Sequence, residues 1–336
     1  MQTFAFLFHP TSMRQIKHYW PITSILPQSL VKSFLKNQKP KIIHIKKLKS
    51  LTGKEIDGYV IMSPLLPESI LEVDEESILQ KIVDAGGQAK ELGANILGLE
   101  GYFATVADKK PMIYKHIKTA VTSGSTFTAW SVFESVYLTS QLNKLDLKKC
   151  TVTFFGPNNA IGSLCARKFA EHCGQIMLTG GITQKLENLK SALTGMTASV
   201  IVEEDTQKAI GRADIIINCY NGPSVLFDIS DIKPGAIVCD AAVFKHIADK
   251  ARKRKDITVI DCGNIKLPLS QKLSSTMTDH ENMICSYMAE TMLLTLENKC
   301  VNYSLGEQIN LDKLEDIANI AVRHGFEINL PGNGTA

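Results

Sequence analysis

A short apolar strand that runs into Gly156, turns, and enters a helix holding Gly162 limits most what this chain can fold into. The stretch reads T-V-T-F-F-G-P-N-N-A-I-G-S-L-C-A-R-K-F-A over Thr151–Ala170. In a dinucleotide site the first glycine permits the tight turn, the middle one lets backbone approach the diphosphate, and the last lets helix pack on strand. The diphosphate then meets unpaired N–H groups and the positive end of the helix dipole. Gly156, Pro157, Asn158, Asn159, Ala160, Ile161 and Gly162 are therefore the expected cofactor-binding turn, with Asn159 at the middle glycine position. Asparagine tolerates positive φ, so the backbone shape is attainable. Its side chain still crowds a phosphate, and a sheet whose nucleotide site has decayed is the alternative.

Short strands alternate with helices on either side of that turn. Strands are expected at Thr151–Phe155, Gln175–Leu178, Ser199–Val202, Asp214–Cys219, Ala236–Asp240 and Thr258–Asp261. Helices fall between them at Ala160–His172, Gln184–Leu193, Thr206–Ala213 and Phe244–Lys253, the rhythm of a doubly wound parallel sheet. Upstream, Phe4–Phe8, Lys41–Ile45, Gly58–Met62 and Asn95–Leu99 read as strands. Asp74–Leu92 reads as an amphipathic helix ended by Gly93, and Phe127–Leu145 as a long helix. Glu281–Glu297 and Leu311–His324 read as two closing helices. The fold class is α/β: an N-terminal α/β substrate domain over 1–147, a Rossmann-like NAD(P)-binding domain over 148–265, and a C-terminal helical segment over 266–336 packing on the others.

Composition narrows the function classes. A chain of 336 residues with 44% apolar residues is long enough for two cores and too apolar for disorder. A net charge of +3 gives no global polyanion signal, so no nucleic-acid partner is expected. No long uncharged apolar run is present, and the opening MQTFAFLFHP lacks the marks of a signal peptide. A cytoplasmic protein with no integral membrane segment is the expectation. The eight cysteines are scattered without C-x-x-C spacing, so no metal site and mostly buried reduced thiols are expected.

Cofactor choice turns on the end of the strand at Gln175–Leu178. NAD sites usually carry an acid there for the ribose hydroxyls. This chain has Leu178-Thr179-Gly180-Gly181-Ile182-Thr183, so Thr179, Thr183 and Lys185 are candidates for a 2′-phosphate, favouring NADP(H) over NAD(H).

Several stretches together resemble the fatty-aldehyde-generating long-chain acyl-[acyl-carrier-protein] reductases. They are FAFLFHP at Phe4–Pro10, SLTGKEIDGYVI at Ser50–Ile61, LGANILGLEGYFATVAD at Leu92–Asp108, VTSGSTFTA at Val121–Ala129 and the nucleotide turn. MAETMLLTLE at Met288–Glu297 and NYSLGEQINLDKLEDIANIAVRHGF at Asn302–Phe326 complete the set, in one order along most of the chain. The resemblance implies attack of a cysteine thiolate on an acyl thioester, then reduction of the enzyme-bound acyl group to an aldehyde by NADPH hydride. It also implies an acidic acyl carrier protein or coenzyme A as carrier.

The sequence departs from that pattern at the nucleophile. The family cysteine lies in a cysteine-x-Ala-Glu run at the start of the penultimate helix, and Met288-Ala289-Glu290 places Tyr287 there, with Cys285 two residues earlier. On a continuous helix two residues is about 200° of rotation, so Cys285 replaces the nucleophile only if the helix starts later or bulges. Glu100 interrupts the family glycine-rich run, the family loop becomes Ser123-Gly124-Ser125-Thr126, and a family arginine falls on Gly181.

Tyr287, Cys285 and Glu100 are thus the catalytic candidates, with Tyr287 a proton donor and Glu100 a general acid or base. Ser123, Ser125 and Thr126 are candidates for holding a carbonyl oxygen, or are ordinary helix caps. His9 lies near the same strand ends, where a structural histidine is the simpler reading. The lysine-rich run Lys32–Lys54 is a docking face for an acidic carrier or a solvated surface. The leading expectation is NADPH-dependent reduction of an acyl thioester or related carbonyl. The alternatives are a diverged paralogue that binds nucleotide or acyl group without thioester chemistry, and a dehydrogenase of a small amino or hydroxy acid. A homo-oligomer is left open.

Overall fold

The computed structural model describes residues 2–222, 227–243, 245–271, 273, 282–306 and 309–330. The chain forms two compact units, the first of Met1–Ser125, Ile265–Gln308 and Ile317–Glu327, the second of Thr126–Asn264, Ile309–Asp316 and Ile328–Ala336.

In the first unit, strands β1 (Gln2–Phe8), β2 (Lys41–Lys49), β3 (Glu55–Met62), β4 (Ile96–Leu99) and β5 (Ala120–Thr122) form one sheet in the order β2-β3-β1-β4-β5. β1 runs parallel to β3 and β4, and β4 parallel to β5. Central β1 buries Phe4, Ala5, Phe6 and Leu7 on both faces, which is why it reads as an unbroken apolar run. β2 is the antiparallel edge, with a register shift between Ile45 and Leu48. Lys41, Lys46, Lys47 and Lys49 are exposed along it. Lysines and a bulge are how an edge strand is kept from pairing with another chain, which accounts for much of the lysine-rich run.

Helices α1 (Met13–Tyr19), α2 (Gln28–Lys36), α3 (Glu75–Glu91) and α4 (Gly101–Lys109) connect these strands. Asp74 caps α3 by accepting the Ser77 N–H at 2.8 Å, and Gly93, at φ +73°, follows its last turn. α1, α2 and α4 extend the sequence reading. α4 is apolar on nearly every side and buries Gly101, Tyr102, Phe103, Ala104, Val106 and Ala107, so it carries no amphipathic period to read.

Near the end of α4, burial pushes the Asp108 carboxyl up to about 6, against the Tyr114 hydroxyl that donates to it at 2.8 Å. The folded chain then holds this proton more tightly than the unfolded chain. Its stabilising effect is complete below about pH 4 and is lost as pH rises to about 6. Asp108→Asn keeps an acceptor for Tyr114. It should flatten that decline and stabilise by up to about 2 kcal/mol near neutral pH, read from urea denaturation at several pH values.

Helix α5 (Ser125–Leu142) leads into the second unit. There β6 (Thr151–Phe155), β7 (Gln175–Thr179), β8 (Ser199–Val202), β9 (Ile215–Asn218), β10 (Ile237–Asp240) and β11 (Thr258–Ile260) form a sheet in the order β11-β10-β9-β6-β7-β8. Every pairing is parallel. Counted from its first strand this is 6-5-4-1-2-3, the Rossmann order, with its reversal between β6 and β9. Helices α6 (Ala160–Ala170), α7 (Thr183–Ala192), α8 (Thr206–Arg212) and α9 (His246–Ala251) cover both faces. Phe154, Ile215 and Ile217 pack with Leu164 and Phe169 on one face, while Phe155, Ile216 and Val238 pack with Ile210 and Ile247 on the other. Phe244, where the sequence reading begins the last of these helices, lies outside the described residues, as does Glu281.

A short strand, Met283–Cys285, precedes α10 (Ser286–Leu296), and α11 (Leu311–His324) follows. α10 lies so close on β4 that a Cβ at Gly98 would sit 2.0 Å from the Thr291 hydroxyl. Among the described residues no helix is long and apolar enough to cross a membrane.

Candidate functional site

Each unit carries part of the candidate machinery. In the second unit it lies at the carboxyl ends of β6 and β9. Gly156 has φ +68°, and a Cβ there would sit 2.7 Å from Cα of Tyr220, so the turn needs glycine on both counts. A Cβ on Gly162 would meet Cα of Pro157 at 2.6 Å and Cβ of Cys219 at 3.1 Å. These are the tight-turn and close-packing roles of the first and last glycines.

Asn159 uses extended backbone, φ −122° and ψ 171°, rather than the positive φ allowed for it in the sequence reading. It is the N-cap of α6: Oδ1 accepts the Gly162 N–H at 2.9 Å and Nδ2 donates to the Cys219 carbonyl at 2.7 Å. The amide thus bridges the helix start and the end of β9. It takes one helix donor and leaves the N–H groups of Ala160 and Ile161 with no partner inside the helix. Beside it, Asn158 fills the space over Gly181, where a Cβ would come 2.4 Å from its Nδ2. A side chain at 181 would have to displace the Asn158 amide. Oδ1 of Asn158 is buried with no hydrogen-bond partner among the described residues.

At the end of β7, Thr179 is fully buried and its hydroxyl lies 3.1 Å from that of Thr206. Thr183 and Lys185 are exposed, and they are the members of the proposed 2′-phosphate set that solvent reaches. Asn218 fixes the end of β9 by accepting the Tyr220 N–H at 3.0 Å and donating to Asp240 at 2.7 Å. Burial raises the Asp240 carboxyl, while the Ala248 N–H, at 2.9 Å, opposes it.

In the first unit a second cluster forms around the start of α10. Cys285 is its N-cap, in extended backbone at φ −72° and ψ 149°. The helix therefore starts later than a continuous reading from Cys285 assumes, and the expected opposite-face placement does not apply. Burial pushes the Cys285 thiol up to about 12 and the Glu100 charge adds to it, against the backbone N–H of Met288. A helix N-terminus ordinarily lowers a thiol; here desolvation wins.

Tyr287, the second residue of α10, packs on two glycines. A Cβ at Gly101 would sit 3.0 Å from its hydroxyl, and one at Gly124, φ +71°, would sit 2.5 Å from its Cα. Ser123-Gly124-Ser125 and the Glu100-Gly101 step are thus brought to the tyrosine. Nδ1 of His9 lies 2.7 Å from Oε2 of Glu100, both side chains buried. Ser123 spends its hydroxyl on the Ser304 carbonyl and lies 3.0 Å from Ser125 Oγ. Thr126, just beyond, is fully buried.

Two features were not singled out from sequence. One is the His9–Glu100 pairing across 91 positions. The other is Glu290, fully buried on α10, which accepts the hydroxyls of Thr122 and, at 2.7 Å, Ser304. It ties the tyrosine's helix to the Ser123–Ser125 turn. Its only sequence signal was its place as the last letter of the motif that sets the Tyr287 register.

The fold and the strand-end crevice define a doubly wound, Rossmann-like α/β protein. No family model matches the sequence. A long-chain acyl-[acyl-carrier-protein] reductase of Synechococcus elongatus is 26% identical over 309 residues, 88% of this chain and 89% of that protein. A Serratia protein named Aminotransferase PigE is 24% identical over 342 residues, 96% of this chain; the chain spans 39% of that relative's length. Among solved structures, L-tryptophan dehydrogenase from Nostoc punctiforme is 16% identical with a TM-score of 0.41, covering 95% of this chain and 80% of that one. Quinate dehydrogenase from Corynebacterium glutamicum, in complex with NAD, is 12% identical with a TM-score of 0.39, covering 76% and 86%.

Proposed function

We propose that this chain is an NAD(P)-linked oxidoreductase of a carbonyl substrate, with the dinucleotide held by the second unit. The observation that carries this is a glycine turn placed at the reversal of a Rossmann-ordered sheet. The residues present fit a dinucleotide. Ala160 and Ile161 would offer N–H groups to its diphosphate, and the orphaned Oδ1 of Asn158 would accept a ribose hydroxyl. With no acid at the end of β7, Thr183 and Lys185 would meet a 2′-phosphate, favouring NADP(H). Bound, the reduced dinucleotide supplies a hydride.

In the first unit the chemistry falls to Tyr287 and Glu100. Desolvation raises the Cys285 thiol, which disfavours the thiolate that opening a thioester needs. The phenol of Tyr287 is a poor nucleophile and a serviceable proton donor. Reduction at the aldehyde or ketone level, without a covalent acyl-enzyme, suits these side chains better than thioester reduction. A second reading, a nucleotide-binding protein without turnover, is favoured by the Asn159 amide across the helix start. Oxidation of NADPH on adding straight-chain aldehydes separates the two: steady turnover supports the reductase, and none with any chain length removes it.

Cofactor selectivity gives a further test. NADPH should bind about tenfold more tightly than NADH, about 1.4 kcal/mol, and Lys185→Ala should erase most of the difference. Fluorescence titration with both nucleotides measures it. Equal affinities in the parent chain would sink the 2′-phosphate assignment.

A further inference from the structure

We propose that the corner of the first unit formed by Leu51, Leu269 and Val322 is a docking face for an anionic lipid bilayer, on which the protein rests without crossing it. The proposal goes beyond the oxidoreductase reading and does not depend on it.

Three segments of the first unit meet at this corner: the loop 50–54 between β2 and β3, the short turn Pro268–Ser270, and the last turn of α11. The Leu51 N–H donates to the His324 carbonyl at 3.1 Å. A Cβ at Gly325, just past α11, would sit 2.4 Å from Cγ of Leu51 and 3.3 Å from Cβ of Pro268. Gln271 ties the turn to β2: its Oε1 accepts the Lys49 N–H at 2.7 Å, and its Nε2 donates to the Lys49 and Pro268 carbonyls. These bonds fix the surface, yet Leu51, Leu269 and Val322 stand on it 58%, 54% and 69% exposed.

Folding stability does not select this arrangement. Leu269 and Ser270 both lie in the left-handed region, at φ +57° and +51°, where a Cβ crowds the following carbonyl. Glycine or asparagine would suit the Leu269 backbone better. A leucine usually offsets such a cost by burial, and this one is left in water. Strain that neighbouring bonds hold in place is a feature of sites with a use beyond the fold. Apolar side chains brought together on the surface from three segments are the mark of an interaction face.

Charge selects the partner. Lys46, Lys47, Lys49, Lys54 and Arg323 are exposed on the same segments. Glu297 lies 3.3 Å from Lys54 and 3.4 Å from Arg323, and Glu55 lies 3.6 Å from Lys49. Asp57 spends a carboxylate oxygen on the Lys47 N–H. Five cations thus face three carboxylates, and Lys46 and Lys47 make no side-chain ion pair among the described residues. An anionic surface complements that rim. The boundary between lipid headgroups and acyl chains takes in separate protruding side chains without a matching pocket for each. Lysine stems lie along it while their ammonium groups stay among the phosphates.

Sedimentation of the full chain with vesicles tests this, using phosphatidylcholine alone or equal parts of phosphatidylcholine and phosphatidylglycerol. Wild type should pellet with the anionic vesicles and stay in solution with the neutral ones, and about 0.5 M KCl should release most of it. Leu269→Asn keeps the left-handed turn, so it should melt no lower than wild type while binding anionic vesicles about tenfold more weakly. Val322→Ser should lose about as much, and so should Lys46→Gln combined with Lys47→Asn. Leu142→Ser removes an exposed leucine of the second unit and should bind as wild type does. No pelleting of wild type with anionic vesicles overturns the proposal, as does equal pelleting with neutral ones. Binding that the lysine variant loses but folded Leu269→Asn and Val322→Ser keep would mark a face for an acidic protein, and overturns the bilayer as partner.

Discussion

Gly162→Val is expected to remove NADPH binding while leaving a folded protein. The valine Cβ alone would lie 2.6 Å from the Pro157 backbone, so α6 must move off β6 and β9. Overpacking of this kind costs about 1–3 kcal/mol, and domains commonly hold 5–15 kcal/mol, so the melting transition should fall but survive. The Ala160 and Ile161 N–H groups would then aim away from the crevice. Loss of even two charge-assisted hydrogen bonds to a diphosphate raises Kd by about 10²-fold or more. Calorimetry of NADPH with the variant, beside a thermal melt, measures both. Unchanged affinity in a folded variant would refute the assignment of this turn.

Tyr287→Cys should create an acyl-enzyme that the natural chain does not form. A cysteine with an ordinary pKa near 8.5 is about 3% thiolate at neutral pH, whereas desolvation pushes the Cys285 thiol up. The substitution also removes a ring that packs on Gly101 and Gly124, giving a thioester room to approach. Intact mass after incubation with a long-chain acyl-CoA should show one acyl group on Tyr287→Cys and none on wild type or Cys285→Ser. Acylation of wild type that is lost in Cys285→Ser would restore Cys285 as nucleophile. Acylation that survives Cys285→Ser would point to another cysteine.

The parallel sheet was the most legible part of the sequence, for a physical reason. Strands buried on both faces must be apolar throughout, so Thr151–Phe155 stands out between polar stretches with the bounds the structure gives it; the partly exposed edge strand Ser199–Val202 was legible from its β-branched residues instead. α3 was legible because it is amphipathic, opens on Asp74 and stops at Gly93. α4 was not, being buried on nearly all sides, and neither was three-residue β5. The order of the first sheet, with β1 at its centre and β2 antiparallel at its edge, rests on pairings that no local pattern records.

The site was legible as residue types and much less as geometry. The family resemblance marked Glu100 and Tyr287 as departures, and spacing marked the Gly156–Gly162 turn. Whether Cys285 faced Tyr287 or opposed it depended on where α10 begins, and a single pair of backbone angles at Cys285 decides that. Glu290 bonds to Thr122, 168 positions away, and His9 to Glu100, 91 positions away, so both contacts exist only once the sheet is assembled. Asn159 was legible as an obstacle. Its use as a helix cap that also holds the β9 end was not.

Calorimetric titration of the unmodified chain with NADPH tests the central claim most directly. A saturable isotherm with one NADPH per chain, weaker for NADH, is the expected result. No binding by a folded, unmodified chain would mean that the Asn159 amide closes the helix start, and that the Rossmann-ordered unit is not a dinucleotide site.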